Sequence, residues 1–243
     1  MKIKILTLFP EMIRPYFSES IIKRSIDEKI VDIELIDFRK YSHDKHHHVD
    51  DTPYGGGAGM VLRCDIIGDA IKDVITPDSH IVLLTPQGKT FKQKKALKLA
   101  KEKELIFICG HYEGFDERIR YMVDEEISVG DFVLTGGEAS AIVVVDSIVR
   151  LLDGAINKDS KDDDSFSNGL LEYPQYTRPE VYEGLGVPEV LKNGNHKLIE
   201  KYRLKESLRK TYLRRKDLLR NKKLSKQEEK LLQEIKEEEN AKL

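Results

Sequence analysis

Short apolar runs alternate with longer amphipathic segments over the first 150 residues, and this alternation constrains the fold more than any other feature. Four runs are rich in Ile, Val, Leu and Phe and are bounded by Pro, Gly or charged residues. They are residues 2–9, 31–38, 80–86 and 104–110. Segments between them, such as 11–27 and 89–103, have the pattern of helices. The order predicts an α/β fold with a mostly parallel, buried sheet covered by helices.

Composition excludes several classes of protein. The 243 residues are 40% hydrophobic and 35% charged, which argues against disorder throughout and allows one large or two modest domains. No apolar run approaches the roughly 20 residues that span a bilayer, and the N-terminus does not resemble a signal peptide. We expect a soluble, cytoplasmic protein without membrane association. Cys64 and Cys109 lack CxxC spacing, which predicts two reduced thiols and excludes a zinc ribbon.

A polar, acidic stretch at residues 157–168 has no hydrophobic period and is typical of a linker. Helix start and stop signals follow it, namely Pro188, Gly194, Asn195 and the capping-box spacing of Ser225 and Glu228. We therefore predict a small, all-α C-terminal domain. The predicted divisions are a ligand-binding domain at 1–156, a flexible linker at 157–171 and the helical domain at 172–243.

The formal net charge of -2 conceals a basic segment near the end of the chain. Residues 201–223 contain 11 Lys and Arg against two acidic residues. Such a segment suits a phosphate backbone, although charge alone is equally consistent with a solvated helical face.

Nucleotide and metal motifs are incomplete. Gly88, Lys89 and Thr90 match the end of a P-loop, but Leu83 stands where that motif needs its first glycine. The glycines of residues 55–59 do not form GxGxxG. The segment 43–51 contains four His and three Asp without a helical pair or a distant partner, so we interpret it as a polar loop and assign no metal.

Three glycine-rich loops place small residues where a backbone could approach a ligand closely. They are PYGGGAGM at 53–60, GHYEG at 110–114 and SVGDFVLTGGE at 128–138. One such loop would be read as a tight turn. Three of them, two following strands of one predicted sheet, predict a ligand pocket.

These motifs resemble the bacterial tRNA (guanine-N1)-methyltransferases, a family of the SPOUT superfamily that methylates the guanosine immediately 3′ of the anticodon. The resemblance covers over four-fifths of the chain in the right order. Its most specific blocks are HYEGFDER and SVGDFVLTGGE, supported by KILTLFPEM, VDDTPYGGGAGM, LLTPQGKTF, DSIVRLLDG and the segment from DSFSNG to RLKESLRKT. Departures are few: Thr85, Gln175 and Tyr202 replace the more usual Ser, His and Trp.

The resemblance implies a sheet tied in a deep trefoil knot, which periodicity could not predict. It also implies S-adenosylmethionine as cofactor, tRNA as partner, a homodimer with shared active sites and a C-terminal domain that grips tRNA. Magnesium is implicated in the family's chemistry, although no ligand set is readable here. The cofactor residues carried over are Pro86, Gly110, Tyr112, Glu113, Gly114, Val129, Gly130, Asp131, Phe132, Val133, Leu134, Gly136 and Gly137.

The chemistry requires a base, because N1 of neutral guanine carries a proton. The resemblance gives this role to Asp164 of the DSF motif, although Asp162 to Asp164 could equally form a solvated acidic loop. It gives Arg150 the role of stabilising charge on the guanine O6, whereas sequence alone favours a helix C-terminal cation. The alternatives are a SPOUT enzyme acting on another RNA base and a catalytically silent RNA-binding protein.

Overall fold

A computed structural model describes residues 1–157, 164–220 and 222–241. The chain forms two compact units, Met1–Lys158 and Asp159–Leu243. Across the described residues, none of the helices combines the length and the apolar character needed to cross a bilayer. The predicted domain and linker boundaries remain predictions.

The first unit is built on a five-stranded sheet, which confirms the predicted α/β class with a parallel sheet. Its neighbouring strands all pair in parallel, in the order β2-β1-β6-β5-β7. The strands are β1 (Lys2–Thr7), β2 (Asp32–Asp37), β5 (Ser79–Thr90), β6 (Glu104–Cys109) and β7 (Glu125–Ser128). Every residue of the central strand β6 is buried, as expected for a strand covered on both faces. A short antiparallel pair, β3 (Asp50–Asp51) and β4 (Val61–Leu62), lies outside this sheet.

Helices cover both faces of the sheet and enclose two apolar cores. They are α1 (Pro10–Phe17), α2 (Ser20–Asp27), α3 (Cys64–Val74), α4 (Gln93–Leu99) and α5 (Glu138–Val149). On one face Phe107 of β6 packs with Val145 of α5, and on the other Ile106 packs with Ile67 of α3. Short 3-10 helices span Phe38–Tyr41 and Glu117–Met122.

Two predicted helices need correction. The segment 11–27 is two helices, because Glu19 adopts an extended conformation and Ser20 has a φ of +54°. The segment 89–103 begins as strand, because Lys89 and Thr90 pair with β7 after a register shift. The helix therefore starts only at Gln93, and β5 continues through Thr90, four residues past the predicted strand end at Pro86.

The second unit is mainly helical. It contains α6 (His196–Arg214), α7 (Lys216–Arg220) and α8 (Lys226–Asn240), preceded by a short 3-10 helix at Glu189–Leu191. As predicted, the Asn195 side chain caps α6 and a capping box at Ser225 begins α8. The expectation of an all-α domain needs one amendment, because β8 (Val181–Tyr182) and β9 (Leu185–Gly186) form a small hairpin.

Candidate active site

Three chain segments meet at the carboxyl edge of the sheet and enclose a cavity of about 270 Å³. They are Leu84 to Gln87 in β5, Gly110 to Phe115 after β6, and Ile127 to Gly137 at the end of β7 and beyond. Because β5, β6 and β7 are parallel neighbours, the residues at their carboxyl ends come to the same side of the sheet. The pocket predicted from the glycine-rich loops is therefore present.

Most of the residues expected to bind a cofactor line this cavity. Of the thirteen, Asp131 alone is not part of the lining. Those that line it are Pro86, Gly110, Tyr112, Glu113, Gly114, Val129, Gly130, Phe132, Val133, Leu134, Gly136 and Gly137. Phe132 and Val133 remain more than half exposed, so apolar surface is available to a ligand.

The cavity depends on glycine where its two main loops touch. The Gly137 N–H donates to the Gly110 carbonyl over 2.8 Å. A Cβ on Gly137 would lie 2.7 Å from the Cys109 Cα, which is backbone that cannot easily move. Gly137 therefore serves the close approach of two chain segments, as the sequence pattern predicted.

A buried carboxylate supports one wall. Glu138, the first residue of α5, is only 2% exposed. Its Oε1 accepts from the Thr7 hydroxyl over 2.5 Å, and its Oε2 lies 2.7 Å from Nε2 of His111, which lines the cavity. Burial, and then the charge of Glu138, raise the pKa of the Cys109 thiol well above its ordinary range. Sequence reasoning missed Glu138 and His111, although both lie inside the quoted motifs.

Ion pairs hold the segment that follows the Gly110 to Phe115 loop. Arg120 lines the cavity and contacts Glu126, Gln87 and Glu117. Two hydrogen bonds from the Arg118 guanidinium, of 2.9 and 2.7 Å, lower the pKa of Asp116 to about 2. Asp116 is therefore ionised at any physiological pH and is a weak base.

The glycine loop, defined here as residues 53–59, does not line the cavity but contacts its rim. This corrects the expectation that all three glycine-rich loops form the pocket wall. The Glu113 N–H donates to the Met60 carbonyl over 3.0 Å, and a Cβ on Gly59 would overlap the Glu113 carboxylate. The glycine loop is thus attached to the cavity through Glu113.

The two residues expected to be catalytic lie in different units. Arg150 caps the C-terminus of α5 and is half-buried, and its N–H donates to the Asp146 carbonyl over 3.2 Å. Burial raises the pKa of Asp146, and the positive charge of Arg150 offsets part of this rise. Asp164 is half-buried in the second unit, where its carbonyl accepts from the Ser167 N–H over 3.1 Å. Asp162 and Asp163 lie outside the described residues.

The histidine-rich segment forms local contacts. Nε2 of His43 lies 3.1 Å from an Asp69 oxygen, and Nδ1 of His48 lies 3.1 Å from an Asp44 oxygen. Within the described ranges, no group of three His, Cys, Asp or Glu side chains is arranged to hold a metal ion.

Part of the basic segment is neutralised within the second unit. Arg209 of α6 pairs with Glu206 and with Glu238 and Glu239 of α8. The Arg203 guanidinium lies 4.7 Å from the centre of the Tyr173 ring. Lys197, Lys201 and Arg214 are exposed, and no carboxylate in the described part of the chain forms an ion pair with them. Those three cations remain available to a phosphate backbone.

Comparison with known proteins gives a consistent result. The family model described as tRNA (Guanine-1)-methyltransferase TrmD matches residues 1–221. The tRNA (guanine-N(1)-)-methyltransferase of Dehalococcoides mccartyi strain CBDB1 is 54% identical over 99% of both chains. The protein of the same name from Geobacillus kaustophilus is 58% identical over 88% of this chain and 89% of its own. Because the match is continuous and nearly complete, the chain belongs to the tRNA (guanine-1)-methyltransferase family.

Proposed function

We propose that this protein transfers a methyl group from S-adenosylmethionine to N1 of the guanosine immediately 3′ of the anticodon in tRNA. The observation that carries the proposal is the family match over residues 1–221 together with 54% identity across almost the whole chain. The cavity at the carboxyl edge of the sheet supplies a place for the methyl donor. We also infer that the protein works in the cytoplasm.

The lining of the cavity fits S-adenosylmethionine. The donor has a neutral adenine, which needs apolar walls and backbone hydrogen-bond groups, and a sulfonium, which favours nearby oxygens. Val133 and Leu134 supply apolar surface, the glycine segments expose backbone, and Glu113 supplies a carboxylate. The close packing of Gly137 against Cys109 leaves no room for a side chain, so the two loops approach each other closely at the cavity. When bound, the donor supplies an electrophilic methyl group.

Two side chains would act on the guanine. Asp164 would accept the N1 proton, because the N1 lone pair becomes available only after that proton leaves. The electrons left behind spread onto O6, where the Arg150 guanidinium would stabilise the negative charge. Support for both roles comes from the family's motifs DSF and DSIVR. The resemblance also implies magnesium. Among the described residues, no cluster of side chains is arranged to bind a metal ion.

We further propose that the sheet is tied in the family's trefoil knot and that the second unit is the tRNA-binding domain. The exposed cations Lys197, Lys201 and Arg214 on α6 support a contact with phosphates. Arg209 is better understood as a structural residue, since three carboxylates surround it.

A homodimer is part of the same proposal. Apolar side chains remain exposed on α1 and the neighbouring helix α5, including Met12 at 59%, Tyr16 at 45% and Val143 at 49%. Exposed apolar surface of this kind is typical of a protein–protein contact. We expect sedimentation equilibrium of the full chain to give a mass of about 56 kDa, twice the chain's 28.0 kDa. A fully active species of single-chain mass would contradict a shared active site.

The proposed function is tested with tRNA transcripts and S-adenosylmethionine carrying a labelled methyl group. We expect label to enter a transcript with guanosine 3′ of the anticodon and not a matched transcript with adenosine at that position. Equal labelling of both would indicate a different target base. Binding of the donor without labelling of either would indicate a protein that lacks transfer.

A further inference from the structure

Tyr54 is the most exposed of the large hydrophobic side chains in the described residues, with a relative exposure of 102%. It gains nothing from packing, so the fold gives no reason for an aromatic residue at this position. Exposed aromatic rings beside a ligand site commonly serve recognition.

The backbone holds Tyr54 at the corner of a turn. The Gly56 N–H donates to the Pro53 carbonyl over 3.2 Å, and Gly55 has a φ of +87°. This hydrogen bond closes a four-residue turn. A type II turn requires a positive φ at its third residue, and glycine adopts a positive φ without strain. A Cβ on Gly55 would touch nothing within 4 Å, so backbone conformation and not space explains this glycine. The turn therefore presents Tyr54 to solvent.

The glycine loop carries this turn beside the cavity. Its end at Gly59 packs against Glu113, which lines the cavity, and the Glu113 N–H is bonded to Met60. A cation lies just past the cavity loop, because Arg118 follows residues 110–115 and donates to Asp116 over 2.9 and 2.7 Å. The Arg118 side chain is 66% exposed. An aromatic ring and an exposed guanidinium thus lie near the rim of the cavity.

The proposed reaction creates a need for such a ring. N1 lies on the Watson–Crick edge of guanine, and an enzyme reaches it only when the base leaves the stack of its neighbours. Each neighbouring base then loses a stacking partner. An exposed aromatic side chain can replace that partner, because every nucleobase has a π face.

From these observations we propose that Tyr54 is a base-stacking residue that binds a nucleobase of the tRNA next to the target guanosine. The proposal rests on the proposed function and adds a substrate contact to it. In this proposal the stacking ring carries the affinity.

The test compares Tyr54→Ala with Tyr54→Phe and with Tyr121→Ala, which removes another exposed tyrosine, 88% exposed and outside the glycine loop. Loss of one base–aromatic stack weakens binding by about 5- to 150-fold. We expect Tyr54→Ala to raise the tRNA KM by about tenfold or more and to leave kcat and the Kd for S-adenosylmethionine within twofold. Tyr54→Phe and Tyr121→Ala should each behave like the wild type.

A tRNA KM unchanged in Tyr54→Ala would overturn the proposal. So would an equal rise of the tRNA KM in Tyr54→Phe, because the effect would then belong to the hydroxyl. A weakened Kd for S-adenosylmethionine in Tyr54→Ala would also overturn it, because the loop would then support the cofactor cavity. Failure of the wild type to methylate tRNA is a separate outcome that contradicts the proposed function itself.

Discussion

Asp164→Asn is expected to lower the rate of methyl transfer by about 10²- to 10⁴-fold, the usual contribution of a positioned general base. Asparagine has nearly the same shape but cannot accept the N1 proton. Because the proposed role begins after the donor is bound, the Kd for S-adenosylmethionine should stay within twofold. Single-turnover methylation of a tRNA transcript and calorimetric titration of the donor measure the two quantities.

The pH dependence separates a base from a structural residue. Guanine N1 loses its proton to water as the pH rises, so the rate of Asp164→Asn should recover towards that of the wild type at alkaline pH. A variant that fails because its loop is misplaced would not recover. Asp153→Asn is a matched control, since Asp153 is an exposed carboxylate just after α5 and has no proposed role. Activity of Asp164→Asn within a few-fold of the wild type would refute the assignment.

Arg150→Ala is expected to lower the transfer rate by about 10²- to 10³-fold, the typical cost of removing one group that stabilises a developing oxyanion. The loss should appear in kcat more than in the Kd for the donor. Arg150→Lys keeps the charge at the same helix end and should retain part of the activity.

The competing explanation is that Arg150 only stabilises the structure around it. It ends α5, where a cation stabilises the helix carbonyls, and its charge acts on the half-buried Asp146. A variant that loses thermal stability but transfers methyl at the wild-type rate would show that Arg150 stabilises the helix end and has no part in the transfer. Comparison of melting temperature and rate for Arg150→Ala and Arg150→Lys therefore decides between the two.

In the five-stranded sheet, the sequence predicted the four strongly apolar strands and missed β7. The buried strand β6 is a continuous apolar run apart from its first residue, and β1 and β2 were predicted within two residues of their observed ends. The strand β7 begins with Glu125 and Glu126 and has only four residues, so no hydrophobic period reveals it. Its pairing with β5 is a tertiary effect, and the same pairing extends β5 through Thr90.

The site was predictable where backbone geometry restricts the residue type. Gly137 had to be small because a Cβ there would meet the Cys109 backbone, and Gly110 because a Cβ there would meet the Phe115 ring, and the sequence shows both directly as glycine. Glu138 and His111 were not predictable as a pair. They are 27 positions apart, and only the adjacency of β6 and the start of α5 brings them together. The trefoil knot was implied by resemblance alone, because strand and helix patterns carry no information about threading.

The proposed reaction methylates one atom of one nucleotide, and nucleoside mass spectrometry identifies that atom. Wild-type protein is incubated with S-adenosylmethionine and a tRNA transcript that has guanosine 3′ of the anticodon. The product is digested to nucleosides and to oligonucleotides. We expect N1-methylguanosine, located at the nucleotide 3′ of the anticodon and missing from the reaction with Asp164→Asn. A methyl group on another base, or on guanine at N2 or N7, would contradict it.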